Sequence, residues 1–266
     1  MAVGWHVNFK LGGREVLAPS RSWRLVFVNR MAHFAPRVEL LTFCLAGDHG
    51  HVVVLGPRPG AFVHALECSL RWHLDLAKPF RRAWFEPVET HRHLSSAFHY
   101  CLGQVARHGL AADPVREASN LPDLIGARSL FWETRARVRE HLPRTTRQSL
   151  CRHYGLDHVG EGSDTSLLRQ AAEAANGGPL RVHGTQGVRG AALRVALDMG
   201  LSVRAAARVL DMHPAGVPRL VGAASPEAER AVRQQLYLIS KLAPELPKLC
   251  DSPRARPNGR REARGL

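Results

Sequence analysis

The sequence contains no apolar stretch approaching the roughly 18 consecutive residues that a membrane-spanning helix requires. Its first residues, MAVGWHVNFKL, also lack the basic segment followed by an apolar stretch that marks a secretory signal peptide. Cysteine is scarce, with five residues, no CxxC spacing and no even count for pairing. These absences argue against a membrane protein, a disulfide scaffold and a cysteine-based metal site, and we expect buried thiols in a cytoplasmic protein.

Acidic residues are also in short supply. The chain has 23 Asp and Glu against 37 Lys and Arg, which gives a formal net charge of +14 and a pI near 10.8. Such an excess favours a polyanionic partner. Because a membrane is not indicated, the expected partner is nucleic acid and the expected location is the nucleoid. The 45% of hydrophobic residues in 266 is enough for one or two packed domains.

Two short apolar runs lie close together in the segment LLTFCLAGDHGHVVVLG, residues 40–56. The runs are rich in β-forming residues and are separated by Gly and Asp, so we interpret them as two buried strands joined by a tight turn. His49 and His51 begin the second strand. Residues two apart on a strand point to the same face, so these two imidazoles are placed to share one metal ion.

Residues 92–107, RHLSSAFHYCLGQVAR, have apolar side chains at helical spacing and predict one amphipathic helix. Tyr100 and Gln104 lie four apart, so both can occupy one face. A hydroxyl nucleophile and an oxygen ligand could therefore meet the histidine strand. A second His-x-His, His91 and His93, precedes this helix without a strand, and we interpret it as a helix start or a DNA-facing pair. His6 and His99 remain undecided.

The order His-x-His on a strand, then Tyr-x-x-x-Gln on a helix about fifty residues later, resembles the single-tyrosine HUH transposases. The wording TFCLAGDHGHVVV and HLSSAFHYCLGQVARHGLA is most similar to that of the REP-associated tyrosine transposases, over roughly residues 5–130. Three departures stand out. Gly50 replaces a bulky apolar residue, Asp48 replaces Asn, and QVARHG replaces the NPVRAG element.

The resemblance implies single-strand DNA cleavage and strand transfer at hairpin or repeat DNA through a 5′-phosphotyrosine intermediate. Tyr100 would be the nucleophile, and His49, His51 and Gln104 would hold the metal. Two imidazole nitrogens with hard oxygens suit Mg²⁺ or Mn²⁺. Two alternatives stay open: an inactive domesticated descendant that binds DNA or regulates a promoter, and a metal-dependent phosphodiesterase without a covalent step. The protein is expected to be a monomer or homodimer.

The predicted element order is β-α-β-β-α-β-α. It indicates an α+β fold, a ferredoxin-like (RRM-like) antiparallel sheet with helices on one face, over residues 1–126. An all-α domain is expected over residues 127–250, followed by a disordered basic tail over residues 251–266. Within the helical domain, residues 200–220 resemble a helix-turn-helix, with Ser202 as the helix cap. Against this, Pro218 is expected to disturb the second helix, and Asp211 replaces the usual turn glycine.

Two surfaces are predicted to contact DNA. The first follows the basic and aromatic segment before the tyrosine helix, and its alternative is an edge strand with a solvated basic face. The second belongs to the helix-turn-helix region, and its alternative is an ordinary helical hairpin. The predicted DNA-binding residues are Arg81, Arg82, Trp84, Phe85, Arg204, Arg208 and Arg219.

Overall fold

The structure is a computed structural model. It describes residues 2–13, 16–17, 19–57, 59–109, 113, 116–128, 130–156, 164–177, 180 and 185–242. The predicted basic tail, residues 251–266, lies outside this part of the chain. Among the described residues, no helix is both long enough and apolar enough to cross a bilayer.

A four-stranded antiparallel sheet forms the N-terminal half. Its strands are β1 (Gly4–Lys10), β2 (Glu39–Ala46), β3 (His49–Leu55) and β4 (Trp84–Val88), in the spatial order β2-β3-β1-β4. Helix α1 (Arg21–Phe34) connects β1 to β2, and α2 (Gly60–His73) connects β3 to β4. This is the predicted α+β, ferredoxin-like arrangement, and it puts the histidine strand β3 next to β1 in the middle of the sheet.

One face of the sheet packs on α1 and α2. Val7, Phe9, Val52 and Val54 point to this side and are fully buried together with the apolar stripes of both helices. Helix α1 is capped by Ser20, whose hydroxyl accepts a hydrogen bond from the Trp23 amide.

The opposite face is also covered, which departs from the expectation of helices on one face only. Helix α3 (His91–Leu102) packs its Leu94 and Phe98 against Val53 and Val88 of the sheet. The reason is the composition of the strands. Because this second face carries apolar residues as well, a covering helix removes them from water.

The predicted single helix over 92–107 is interrupted. Helix α3 ends at Leu102, and after Gly103 a short helix, α4 (Gln104–Arg107), follows. The Gly103 amide donates to the carbonyl of His99 over 2.9 Å. The Gln104 side-chain amide donates to the carbonyl of Tyr100 over 2.8 Å, and so satisfies a carbonyl near the helix end.

The free edge of β2 is closed by the segment after α4. The amide of Leu45 donates to the carbonyl of Ala118, and the Asn120 side chain accepts hydrogen bonds from Thr42 Oγ1 and the Phe43 amide. Closing an edge in this way prevents another strand from adding to it. The described residues of this segment therefore belong to the sheet half.

The rest of the described chain is helical, as predicted. Residues of helices α6 (Trp132–His141) and α7 (Arg147–His153) join the apolar cluster beneath α3. Most apolar residues of the later helices, from α8 (Leu168–Asn176) to α12 (Pro226–Leu242), form a second cluster. The predicted division at residue 126 stays a prediction. The helices are α5 (Leu121–Leu124), α6 (Trp132–His141), α7 (Arg147–His153), α8 (Leu168–Asn176), α9 (Gln186–Asp198), α10 (Val203–Val209), α11 (Val217–Gly222) and α12 (Pro226–Leu242).

The helix-turn-helix-like region consists of α10, a 3₁₀ turn over Pro214–Gly216 and α11. Ser202 caps α10, as predicted, by accepting from the Ala205 amide. Asp211 adopts the left-handed conformation, with φ of 53°, that the usual turn glycine would provide. Pro218 lies in the first turn of α11 and not in a helix interior, so it does not disturb the helix. A helix-turn-helix function stays a prediction.

Candidate active site: a histidine and tyrosine cleft

A cleft of about 350 Å³ opens between the sheet and α3. Strand β1 contributes its floor, because His6 and Asn8 are two apart and point to the same side as His51, which pairs opposite Asn8. Strand β4 contributes one wall and α3 the other. The lining residues are His6, Asn8, His51, Trp84, Glu86, His93, Ser96, Ala97 and Tyr100.

His6 and His51 form a hydrogen-bonded pair at the bottom of this cleft. The distance from His6 Nε2 to His51 Nδ1 is 3.0 Å, and that from His6 Nδ1 to Glu86 Oε2 is 3.2 Å. An ionised carboxylate only accepts hydrogen bonds, so His6 Nδ1 donates to Glu86. Neutral His6 must then accept at Nε2, and His51 Nδ1 is the donor. The chain therefore leaves His51 Nε2 with its lone pair free.

His51 is prepared to use that lone pair. Its Nε2 is buried and has no hydrogen-bond partner in the part of the chain that the structure describes. Burial, together with the positive charges that His49, His6, His108 and Arg107 can carry, lowers the pKa of His51 to about 3. His51 is therefore a neutral imidazole at physiological pH, and that is the form that binds a metal ion.

His49 is oriented by a different carboxylate. Its Nδ1 lies 2.8 Å from Asp48 Oδ1, and Lys10 Nζ lies 2.9 Å from the other oxygen of Asp48. Partial burial would raise the pKa of Asp48, but the hydrogen bonds from Lys10 and His49 hold it below its ordinary value. Asp48 thus accepts from His49 Nδ1–H and leaves Nε2 available. The ring centroids of His49 and His51 are 4.9 Å apart.

Tyr100 projects from α3 over the histidine pair. Its ring centroid lies 5.6 Å from that of His6 and 5.5 Å from that of His51, both in edge-on geometry. The side chain is 41% exposed, so it is open to a ligand in the cleft. The guanidinium of Arg107 lies 5.1 Å from the ring centroid and adds a positive charge beside the phenol.

Gln104 is fully buried next to this group. Its Oε1 is 3.1 Å from His108 Nε2, whose ring in turn lies 5.1 Å from that of His49. The structure therefore brings Gln104 near the predicted site, with its carbonyl oxygen already hydrogen-bonded to His108.

The residues present fit a divalent ion in one respect. The Nδ1 atom of His49 is held directly by the carboxylate of Asp48, and that of His51 is held by His6, which is itself bonded to the carboxylate of Glu86. Such carboxylate support is usual for a metal-binding imidazole. Neither His49 Nε2 nor His51 Nε2 has a hydrogen bond to any described residue. The described part of the chain contains no group of three or more His, Cys, Asp or Glu arranged to hold a metal. The assignment of His49, His51 and Gln104 as metal ligands stays a prediction.

Gly50 is explained by its neighbour across the sheet. It pairs with Phe9, and a Cβ atom on Gly50 would lie 2.3 Å from the end of the Phe9 ring. The Phe9 ring of β1 therefore fills the space that a bulky side chain at position 50 would take. The glycine at this position is compensated by packing on the face of the sheet opposite the cleft.

The predicted DNA-binding residues separate into two places. Trp84 is 57% exposed at the cleft, and Arg81 and Arg82 are exposed just before it. Phe85 points to the other face, where it packs against the apolar core, so the structure does not bring it to this surface. Arg204, Arg208 and Arg219 are exposed on α10 and α11.

Sequence reasoning left His6 undecided, and it missed Glu86 and His108 as neighbours of the site. Register explains the first two, because only the pairing of β1 with β3 and β4 places them beside His51. An alternating His-x-Asn on a predicted strand was the available signal. Of the second His-x-His pair, His93 lines the cleft, with Nε2 3.9 Å from Glu86 Oε1, whereas His91 is exposed.

No model of a known protein family matches the chain, and no curated protein matches it. One solved structure is similar. It is described as the REP-associated tyrosine transposase bound to a REP hairpin. The likeness covers 41% of this chain and 70% of that chain, with 12% sequence identity and a TM-score of 0.37. The chain therefore has a distant structural likeness to a tyrosine transposase, and a likeness of this extent does not establish membership of that family.

Proposed function

We propose that the protein cleaves single-stranded or hairpin DNA with Tyr100 as the nucleophile and rejoins the strand to another end. The observation that carries this proposal is the cleft itself. The partly exposed ring of Tyr100 lies against two oriented imidazoles, one of which has a buried Nε2 without a hydrogen-bond partner among the described residues. Such a combination has no evident role in packing, because an unpaired buried nitrogen costs stability.

The residues divide the work as follows. His49 and His51 would hold Mg²⁺ or Mn²⁺ through their free Nε2 atoms, with Gln104 as the predicted oxygen ligand. A divalent ion bound there polarises the scissile phosphate and offsets the charge that develops on it. Arg107, beside the Tyr100 ring, adds a fixed positive charge for the same phosphate. Asp48, Glu86 and His6 hold the imidazoles in the required tautomers.

The chemical step conserves the energy of the phosphodiester bond, because a diester with tyrosine replaces the diester that is broken. Tyr100 Oη attacks phosphorus, a bond forms between Oη and phosphorus, and the bond to the 3′ oxygen breaks. The phenol proton leaves to solvent and the departing 3′ oxygen takes up a proton, which gives a free 3′-OH and a 5′-phosphotyrosine. Attack by another 3′-OH reverses the step and joins a new strand. Exposed Trp84 is suited to stack on an unpaired base.

A DNA-binding protein without catalysis is the second candidate. It is favoured by Gln104, whose carbonyl oxygen already accepts a hydrogen bond from His108 and so has one of its two lone pairs occupied. In this candidate the same cleft, with the exposed Arg81 and Arg82 beside it, holds a DNA hairpin. Tyr100 then stacks on a base or packs in the cleft and takes no part in a reaction.

The experiment uses hairpin DNA carrying a label on either end, incubated with the protein and Mn²⁺ and then separated on a denaturing gel. With a 3′ label, the labelled strand should migrate with the protein. With a 5′ label, a shorter free strand ending in 3′-OH should appear. Cleavage without any adduct would point to a phosphodiesterase. No cleavage with Mg²⁺ or Mn²⁺ on several hairpins would favour the binding protein.

A further inference from the structure

A second concave site lies away from the Tyr100 cleft, between α6 and α7. Its volume is about 260 Å³, and it has an apolar floor and a polar rim. The lining residues are Leu124, Arg135, Val138, Arg139, Pro143, Thr145, Thr146, Arg147 and Leu150. We call it the arginine pocket. All three of its charged residues are positive.

The positive charges of the arginine pocket lack counter-ions. Within the described residues, Arg135, Arg139 and Arg147 form no ion pair, although Arg137 on the same helix is paired with Glu133 over 2.8 Å. Arg135 and Arg139 are four residues apart on α6, a spacing at which like charges repel. Arg135 Nη1 and Arg147 Nε each lie 4.0 Å from where a Cβ of Gly126 would be, so both guanidinium groups approach the same stretch of backbone. Arg147 Nε donates there to the carbonyl of Ile125 over 2.6 Å, which leaves its two terminal nitrogens for a ligand.

The floor of the arginine pocket belongs to a buried apolar cluster. Leu124, Val138 and Leu150 are buried in the same apolar cluster as Phe98 of α3, so the helix that carries Tyr100 and the pocket share one core. At the rim, Thr146 Oγ1 accepts the amide of Ser149 and keeps its own proton to donate to a ligand. Three guanidinium groups and a hydroxyl around one small space are a donor set for an anion with several oxygens.

We propose that the arginine pocket binds a phosphate group of single-stranded nucleic acid, as a contact separate from the Tyr100 cleft. The choice of nucleic acid rests on the proposed function, whereas the phosphate chemistry rests on the pocket alone. A free phosphate ion presents the same oxygens. Neighbouring guanidinium groups that repel one another in the free protein are stabilised when a phosphate lies between them.

The test compares two double variants of the full chain that lose the same charge. The pocket variant, R135Q/R139Q, removes two exposed side chains that make no hydrogen bond to any described residue. The control, R137Q/R152Q, removes two guanidinium groups of α6 and α7 that do not line the pocket. Binding of a labelled 20-nucleotide single strand is measured by anisotropy across salt concentrations. Binding of inorganic phosphate is measured by the shift of the melting temperature, and circular dichroism checks folding.

We expect the pocket variant to bind the strand at least tenfold more weakly than the control, with a salt slope shallower by about 0.7 for each phosphate that the protein no longer neutralises. If strand binding is unchanged but the phosphate-induced rise in melting temperature disappears, the phosphate site stands with the free ion as its ligand. Equal behaviour of pocket and control variants in both assays overturns the proposal. Tyr100→Phe is run alongside: it should lose the DNA adduct and keep pocket-dependent binding, so failure of the catalytic proposal is seen separately.

Discussion

A group of one tyrosine and two histidines lies on each of two sides of helix α3, and the two groups differ in solvent access and in hydrogen bonding. In the first group the histidine rings are 5.3 Å apart, and in the second they are also 5.3 Å apart. The first group is His6, His51 and Tyr100, and the second is His99, His153 and Tyr154. Residue type and proximity alone therefore do not separate them.

Access and ordering do separate them. The Tyr154 hydroxyl is buried and has no hydrogen-bond partner among the described residues. Burial raises the pKa of Tyr154 well above its ordinary value, although the positive charge of Arg116 over the ring acts to lower it. Among the described residues, His153 makes no hydrogen bond to a carboxylate. In the first group Glu86 orders His6 and, through it, His51, and the tyrosine is open to solvent. The comparison favours the first group as the reactive one.

The strongest way to break this comparison is to remove each hydroxyl in turn. Tyr100→Phe should reduce the covalent DNA adduct by at least ~10⁴-fold, because no neighbouring group replaces the attacking oxygen. Tyr154→Phe is the matched control and should keep the adduct within about twofold. The denaturing gel with 3′-labelled hairpin DNA measures both. An adduct that survives in Tyr100→Phe and disappears in Tyr154→Phe would reverse the assignment.

Replacing the two proposed histidine ligands tests whether a metal ion binds beside Tyr100. His49→Ala and His51→Ala should each weaken Mn²⁺ binding by more than about 100-fold, since each deletes a proposed direct ligand. His153→Ala, which removes an exposed histidine of the second group, should leave binding unchanged. Calorimetry at fixed pH gives the affinities. Unaltered Mn²⁺ affinity in both cleft variants would exclude this metal site.

A subtler change tests the ordering of the first group. Glu86→Gln keeps the shape of the side chain but can donate to His6 Nδ1, which allows the opposite tautomer and places a proton on His51 Nε2. We expect a loss of about 10- to 100-fold in Mn²⁺ affinity. Glu67→Gln on α2, outside the cleft, is the control. Nitrogen chemical shifts of the two histidines report the tautomers directly, and an unchanged tautomer with unchanged affinity would rule out the ordering chain.

The sequence predicted the strands and the helices that connect them, because these depend on local patterns. Apolar runs, the helical spacing of apolar side chains and the glycine at the β2-β3 turn all act within a few residues. The choice of Tyr100, His49 and His51 as site residues drew on the family resemblance as well and stays a prediction. Glu86 and His6 could not be predicted in the same way, because they meet His51 only through the register of three strands. The interruption at Gly103 was also missed, since a single glycine within an amphipathic pattern does not by itself end a helix.

The smallest expected effect concerns stability and separates the two tyrosines without any DNA. The Tyr154 hydroxyl is buried and makes no hydrogen bond to a described residue, so the folded state bears the cost of desolvating it. Tyr154→Phe removes that cost and keeps the ring beneath Arg116, and the free energy of unfolding should rise by about 1 kcal/mol. Tyr100 is 41% exposed, so Tyr100→Phe should change stability by less than ~0.5 kcal/mol. Urea denaturation followed by circular dichroism compares the two variants. A clear loss of stability in Tyr154→Phe would mean that the Tyr154 hydroxyl has a hydrogen-bond partner in solution. Hydrogen bonding would then no longer separate the second group from the first.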